Sequence, residues 1–261
     1  MYAYSIVIAF VFGLLIGSFL NACAYRVPRD ISVVRGRSFC PVCTTQIKGY
    51  DNVPLISWVV LRGRCRACGA PISPRYPIVE GLTAALFAAT LAVDGLHWVA
   101  LPHLLFVAVL ILVSDIDLEF RIIPDVVILP TAVVGLASMI ALSLAHVHAG
   151  AWYQWPIAAF GAALFLFVIA EIYERVRHLA GMGMGDVKMA LCMGAFLGVA
   201  VIPALFFAFV AGAVGGLILI VAKGESGKTA IPFGPFLAFG AIVAMYVGKP
   251  AIDAYLNFVT R

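Results

Sequence analysis

Eight apolar runs organise this chain, at about 4–25, 78–93, 101–116, 125–145, 156–172, 186–202, 204–222 and 231–248. A helix needs about 20 predominantly apolar residues to cross a bilayer. Lipid offers the backbone no hydrogen-bond partners, so a spanning segment must satisfy its own. The runs are read as transmembrane α-helices. The second and third are short for a crossing. Composition agrees, with 64% of the 261 residues hydrophobic and 11% charged, against about 45–50% and 25% in soluble domains. Disordered, collagen-like, coiled-coil and small disulfide-scaffold chains are excluded. The expected fold is an all-α polytopic membrane protein of about eight transmembrane helices with one small polar domain.

The basic residues orient it. Arg26, Arg29, Arg35, Arg37, Lys48, Arg62, Arg64, Arg66 and Arg75 lie between the first two runs, Arg121 in the third connection, and Arg175, Arg177 and Lys188 about the fifth. Lys223 and Lys228 occupy the seventh, and the even-numbered connections have none. Fifteen basic residues thus fall on one side and two, Lys249 and Arg261, on the other. The positive-inside rule places the large first loop and the odd-numbered connections in the cytoplasm and both termini outside. Met1 to Ser5 carry no basic residue, so the first run reads as a retained span rather than a secretory signal.

The polar segment 26–77 holds four of the six cysteines, as Cys40-Pro-Val-Cys43 and Cys65-Arg-Ala-Cys68 with 21 residues between the pairs. Two such knuckles are a common way to offer four thiolates to a tetrahedral Zn2+. The alternatives are two disulfides, which a reducing compartment disfavours, or unrelated thiols. A four-thiolate site has no open position, so the metal would be structural, replacing a core that about fifty residues barely supply. Arg64 and Arg66 are expected to favour the thiolate forms. Cys23 and Cys192, inside apolar runs, read as packing residues.

Acidic groups against spans are costly and mark candidate functional positions. One cluster runs from Asp115 through Asp117, Glu119 and Asp125, and a second is Gly181-Met-Gly183-Met-Gly185-Asp186-Val-Lys188. The topology puts both at the cytoplasmic face, although Asp117 and Asp186 are 69 residues apart. Two close carboxylates cannot both ionise cheaply. The ionised one can activate water while the protonated one polarises a carbonyl. The glycines before Asp186 permit close approach of backbone or of an extended substrate. Asp125, after Pro124, reads first as a charge compensating a helix start. Asp115, two residues from Asp117, faces elsewhere on a helix and pairs with a basic group or with solvent. Glu171 and Glu174 beside Arg175 and Arg177 read as a solvated ion-pair face, and Glu80 is ambiguous.

Taken together these residues resemble the bacterial type IV prepilin peptidases, bifunctional leader peptidase/N-methyltransferases of the GxGD aspartic protease class. The resemblance is carried by Gly17-Ser18-Phe19-Leu20-Asn21, Tyr25-Arg26-Val27-Pro28, both cysteine pairs, Asn52-Val53-Pro54, Ser57-Trp58 and Arg75-Tyr76-Pro77. Asp117-Leu118-Glu119, Ile123-Pro124-Asp125 and Gly183-Met184-Gly185-Asp186 complete it. It implies that Asp117, eight residues before the Pro-Asp aspartate, and Asp186 are catalytic. Glu119 departs mildly from the family's second acidic position. The family removes a short basic leader after a glycine and then methylates the new N-terminal residue with S-adenosylmethionine. Implied partners are prepilins or pseudopilins and the inner-membrane bilayer, with no nucleic acid. The implied organisation is a first transmembrane helix over 1–25, a zinc-binding domain over 26–77 and a protease core over 78–261. No dinucleotide-type glycine fingerprint marks the methyl-donor site, and methyl transfer is placed near the four-cysteine loop. Two other readings stay open: a proton- or cation-coupled transporter, against which the acids gather at one face instead of mid-span, and a zinc-bearing assembly factor.

Overall fold

The computed structural model describes residues 2–148, 150–177, 182–223 and 232–259, with side chains over 4–148, 150–176, 182–221 and 232–248. Gly181 and the side chains of Arg177, Lys223, Lys228, Lys249 and Arg261 lie outside what is described. Among the described residues the regular elements are all helical. The β pairing consists of two isolated bridges, Phe39 with Gln46 and Arg64 with Pro71. The chain divides into two compact units, Met1–Ala100 and Leu101–Arg261.

The first unit holds α1 (Tyr2–Arg26), the short α2 (Ile56–Val60) and α3 (Arg75–Asp94). Helices α1 and α3 run antiparallel in close contact because glycines replace side chains at their seam. A Cβ on Gly13 would lie 2.6 Å from Ala84 Cα, and one on Gly17 would lie 2.7 Å from Glu80 Cα. Small residues one turn apart are the usual device for close helix packing in lipid, where dispersion replaces the hydrophobic effect. The Asn21 amide donates to the Tyr76 carbonyl (3.1 Å) across the same seam. On the opposite side of α1, Ile8, Val11 and Leu15 are exposed, as suits a lipid-facing surface.

The second unit contains α4 (Ala100–Phe120), α5 (Asp125–Leu144), α6 (Gln154–Arg177), α7 (Met184–Leu197), α8 (Val201–Lys223) and α9 (Gly234–Val259). Helix α7 is the buried centre, with Met189, Ala190 and every residue from Cys192 to Leu197 inside. Phe196 stacks on Phe106 at 4.6 Å between centroids. Small residues let α6 approach α7, where a Cβ on Gly194 would lie 2.5 Å from Ala159 Cα. Gly198, at φ +55°, breaks the line of α7 before α8 begins. A side chain there would also meet the Trp155 ring (2.9 Å).

Six stretches are long and apolar enough to cross a membrane: Tyr4–Arg29, Arg75–Asp94, Ala100–Phe120, Asp125–Leu144, Gln154–Val176 and Met184–Val221. The last is 38 residues long and carries the break at Gly198, while Gly234–Gly248 is a shorter apolar helix. The eight apolar runs therefore become six such stretches, one of double length, and one shorter helix. The count of eight is approximate.

Candidate active site and metal centre

Asp117 lies in the last turn of α4, which continues to Phe120, beyond the run expected to close near 116. It is 5% exposed. Arg121 stops the helix in a left-handed conformation (φ +57°), with its N–H donating to the Asp117 carbonyl (2.9 Å). That conformation is costly for a residue with a side chain, and it turns the chain into Ile123-Pro124 and the start of α5.

Asp186 stands in the first turn of α7, and its Oδ2 accepts the Gly183 N–H (3.2 Å). A carboxylate there satisfies one of the N–H groups that a helix start leaves unpaired. Gly185 is required by packing, since a Cβ on it would lie 2.9 Å from the Ile123 Cβ. Gly183 meets no such obstacle, its nearest neighbour being the Asp186 Oδ2 at 3.7 Å. Only one of these two glycines is explained by close approach. Asp117 acts electrostatically on Asp186, so the fold brings the two carboxylates into each other's field.

A third participant was missed in the sequence. The Gly234 N–H, at the start of α9, donates to the Asp117 Oδ2 (2.9 Å). Helix α9 thus directs its positive N-terminal end at this carboxylate. A Cβ on Gly234 would lie 2.7 Å from the same Oδ2. The signal available was Phe233-Gly234-Pro235, a glycine and a proline opening a helix, but nothing local names its partner. Gly234→Ala is expected to displace the Asp117 carboxylate and lower any reaction using it about 100-fold, as misplacements near 1 Å do. Turnover at saturating substrate, with circular dichroism confirming helix content, measures this.

Other acids have structural roles. Asp125, in the first turn of α5, also receives Lys188 Nζ on both oxygens at 2.7 Å, pinning the start of α7 to the start of α5. The helix start at Asp125 is legible in the sequence, whereas its pairing with Lys188 is not. Asp115 is 7% exposed, which removes solvent as its partner. Glu119 is exposed. Glu171 pairs with Arg175 one turn on (2.7 Å), as their spacing predicts. Cys23 and Cys192 are buried packing residues.

In the first unit the Cys40, Cys43, Cys65 and Cys68 sulfurs all lie within 4.8 Å of one another, with Cys40 and Cys68 at 3.9 Å. A tetrahedral ion bound through sulfur at about 2.3 Å sets sulfurs about 3.8 Å apart, so the cluster can hold one. The two knuckles repeat the same bonds. Cys40 and Cys65 N–H groups donate to the Thr45 and Ala70 carbonyls (3.0 and 2.8 Å), while Thr44 and Gly69 N–H groups donate back to Cys40 and Cys65 (2.8 and 2.9 Å).

Hydrogen bonds from Thr45, side chain then backbone, lower the Cys43 thiol to about 6. The Cys68 and Ala67 backbone lowers Cys65. The expected help from arginine is replaced by these local bonds. Arg66 is instead held by Asp51, with its Nη2 2.6 Å from Oδ1, and it keeps the Asp51 carboxyl below the usual range.

Thr44 (φ +57°) occupies the left-handed position that Gly69 (φ +72°) fills in the second knuckle. Thr44→Gly is expected to stabilise the first knuckle by up to about 1 kcal/mol. A higher denaturant midpoint for metal release would show it.

Similarity to known proteins divides along the same lines. Residues 11–93 match the bacterial peptidase A24 N-terminal domain, and residues 104–220 match the type IV leader peptidase family. The latter span includes Asp117 and Asp186 but not Gly234. A prepilin leader peptidase/N-methyltransferase of Burkholderia pseudomallei (strain 1026b) is 34% identical over 93% of this chain and 85% of its own. The protein of that name from Stutzerimonas stutzeri is 36% identical over 96% and 93%. The Bacillus subtilis (strain 168) protein of that name is 32% identical over 96% and 97%. No solved structure matches the chain.

Proposed function

This chain belongs to the type IV leader peptidase family, and from that premise we propose that Asp117 and Asp186 are the catalytic pair of its protease. It is a multi-pass membrane enzyme that cleaves prepilin leaders and N-methylates the product. The observation carrying the residue assignment is the pairing of two carboxylates from separate helix ends, one clasped by the N-terminus of α9 and the other by its own helix start. One carboxylate takes a proton from the attacking water while the other, protonated, donates to the scissile carbonyl oxygen. As the tetrahedral intermediate collapses, the proton passes to the leaving amine. The Asp125–Lys188 pair holds α5 and α7 in register so that both acids keep this alignment.

The substrates are prepilins or pseudopilins with a basic leader ending in glycine, followed by an apolar helix. The leader's positive charge is drawn to the acidic cluster. The distribution of Lys and Arg supports a cytoplasmic position for the cysteine loop and the protease site in a bacterial inner membrane, with both termini outside. The four cysteines hold a structural Zn2+ that fastens segment 26–77, and the protease core lies within 78–261. Bound near the four-cysteine loop, S-adenosylmethionine would supply the methyl group that the new N-terminal amine takes up. Purified protein, a synthetic prepilin peptide and S-adenosylmethionine should give a product cut after glycine and heavier by one methyl group in mass spectrometry. An intact peptide would refute the assignment of this activity. A transporter reading does not account for the family or for the carboxylates held at helix ends.

A further inference from the structure

Arg26, which ends α1, is 6% exposed, and among the described residues no carboxylate pairs with it. Its Nη1 donates to the Ser32 carbonyl (3.3 Å), and its Nη2 donates to the Gly36 (3.3 Å) and Arg37 (3.1 Å) carbonyls. Those bonds fold segment 30–37 over the guanidinium and engage both hydrogens on Nη2 and one on Nη1. The Nε–H and the other Nη1–H stay unpaired. Among the described side chains every fully buried nitrogen or oxygen has a partner, so the unpaired Nε opens onto accessible space. Removing a cation from water is costly unless an anion compensates it, and neutral carbonyls do so only in part. Clamping the loop therefore explains three donors and leaves the charge and Nε over.

That space is a cavity of about 260 Å³. Arg26, Ser18, Ser38 and Asn52 line it, and no acidic residue does. The hydroxyls of Ser18 and Ser38 and the side-chain amide of Asn52 have no hydrogen-bond partner among the described residues. Three neutral polar side chains thus share one space with the cation. Leu15, Phe19 and Ala22 form its wall along α1. With Arg26 they stand at spacings of 4, 3 and 4 and share one face of the helix, opposite the Gly13 and Gly17 seam with α3. Leu15 and Phe19 are more than half exposed, and the exposed Ile8 and Val11 prolong their stripe. Arg26 therefore ends a lipid-facing apolar stripe, with the cavity where the two meet. From Leu15 to Arg26 is about 16 Å along the helix, close to half of the ~30 Å hydrocarbon core. The stripe has the depth of one leaflet.

A complementary ligand presents a negative charge on several acceptor oxygens at one end and a long apolar chain at the other. We propose that this cavity binds one anionic phospholipid of the phosphatidylglycerol class. Its phosphate oxygens accept from Arg26 Nε, the two serine hydroxyls and the Asn52 amide, and an acyl chain lies along Phe19 and Leu15 into the bilayer. The volume suits a headgroup alone, because pockets for whole small molecules run from about 300 to 1,000 Å³. The surrounding charge selects an anionic headgroup over a choline. In segment 29–37 Arg29, Arg35 and Arg37 outnumber the one acid, Asp30, and basic residues at a membrane surface favour anionic lipid. A free phosphate shares the headgroup chemistry and lacks the chain that the stripe accommodates. The wall open to lipid favours a lipid over a peptide.

Titrating the full chain in detergent with radiolabelled dioleoylphosphatidylglycerol in mixed micelles tests this. Binding is read without turnover, so the result does not depend on the protease assignment. The chain should retain this lipid at least about tenfold more tightly than dioleoylphosphatidylcholine. Arg26→Gln, Asn52→Ala and the cavity-filling Ala22→Trp should each weaken it about tenfold, as losing a hydrogen bond to a charged group does. Arg29→Gln is the control. That arginine lies over the Tyr25 ring (4.1 Å) and outside the lining, so its loss should change affinity less than about twofold. Unchanged helix content by circular dichroism shows each variant to be folded. Should Arg26→Gln or Ala22→Trp unfold the segment, Asn52→Ala decides, since its side chain has no partner to lose. Wild-type affinity in folded Ala22→Trp or in Asn52→Ala, or equal losses in Arg29→Gln and Arg26→Gln, would overturn the site. Competition by glycerol phosphate at the concentration of the lipid would make it a soluble-anion site, and displacement by a prepilin peptide would give it to the substrate. Either result overturns the lipid assignment.

Discussion

Asp117→Asn and Asp186→Asn are each expected to reduce leader cleavage at least about 1,000-fold, because an amide can neither take nor return the proton that each half-reaction requires. The double variant should be no slower than the slower single one, since the two acids act as a unit. Asp115→Asn is the control. It lies two residues from Asp117 on α4 and is equally buried, so a burial effect alone would fall on both. Cleavage of a prepilin peptide followed by mass spectrometry measures all four, with membrane insertion and zinc content checked alongside. Normal cleavage by Asp117→Asn combined with an inactive Asp115→Asn would move the first catalytic acid to position 115.

Loss of the metal should affect the first unit as strongly as loss of an aspartate affects the chemistry. Cys40→Ser is expected to remove the zinc, lowering its content from about one ion per chain to near zero by elemental analysis. Segment 26–77 should then become susceptible to protease. The reason is the scarcity of other fastening: within 30–74 the described side chains that are buried are Cys40 and Ser57, both under 10% exposed. Structural zinc supplies about 10–16 kcal/mol in small domains, which no hydrogen bond at the two knuckles can replace. Cys23→Ser, buried in α1 and outside the cluster, should retain the full complement. Zinc retained in Cys40→Ser would show that the four sulfurs are not its ligands.

Several parts of this molecule were legible because their causes are local. Apolar runs must become helices in lipid whatever lies beside them, so α1 and α3 through α6 fall close to where hydropathy placed them. The knuckles were legible because a Cys-x-x-Cys turn positions two sulfurs by itself. Boundaries were less so. Asp117 was placed just past a span and lies within the last turn of α4, because Arg121 accepts a left-handed conformation that sequence patterns do not announce. Hydropathy puts a short connection at 203, between separate runs, whereas the break falls at Gly198, in a kinked passage from α7 to α8.

Long-range partners were not legible. Gly234 reaches Asp117 across 117 positions and Lys188 reaches Asp125 across 63. Nothing in Phe233-Gly234-Pro235 names an aspartate, because an unpaired N–H at a helix start accepts any nearby oxygen. Arg66 illustrates the reverse error. Its position inside a knuckle pointed to the thiolates, while the fold supplied Asp51, whose Oδ1 lies 2.6 Å from its Nη2.

What the sequence alone determined is where the apolar helices lie, the loop in which most of the basic residues gather and the two cysteine turns. Each follows from the free energy of a short segment in its own solvent. The tertiary structure alone decided which oxygen of Asp117 meets the start of α9, and that Lys188 pairs with Asp125. Those outcomes depend on how closely helices approach, and glycines at Gly13, Gly17, Gly185 and Gly234 set that approach by the side chains they lack.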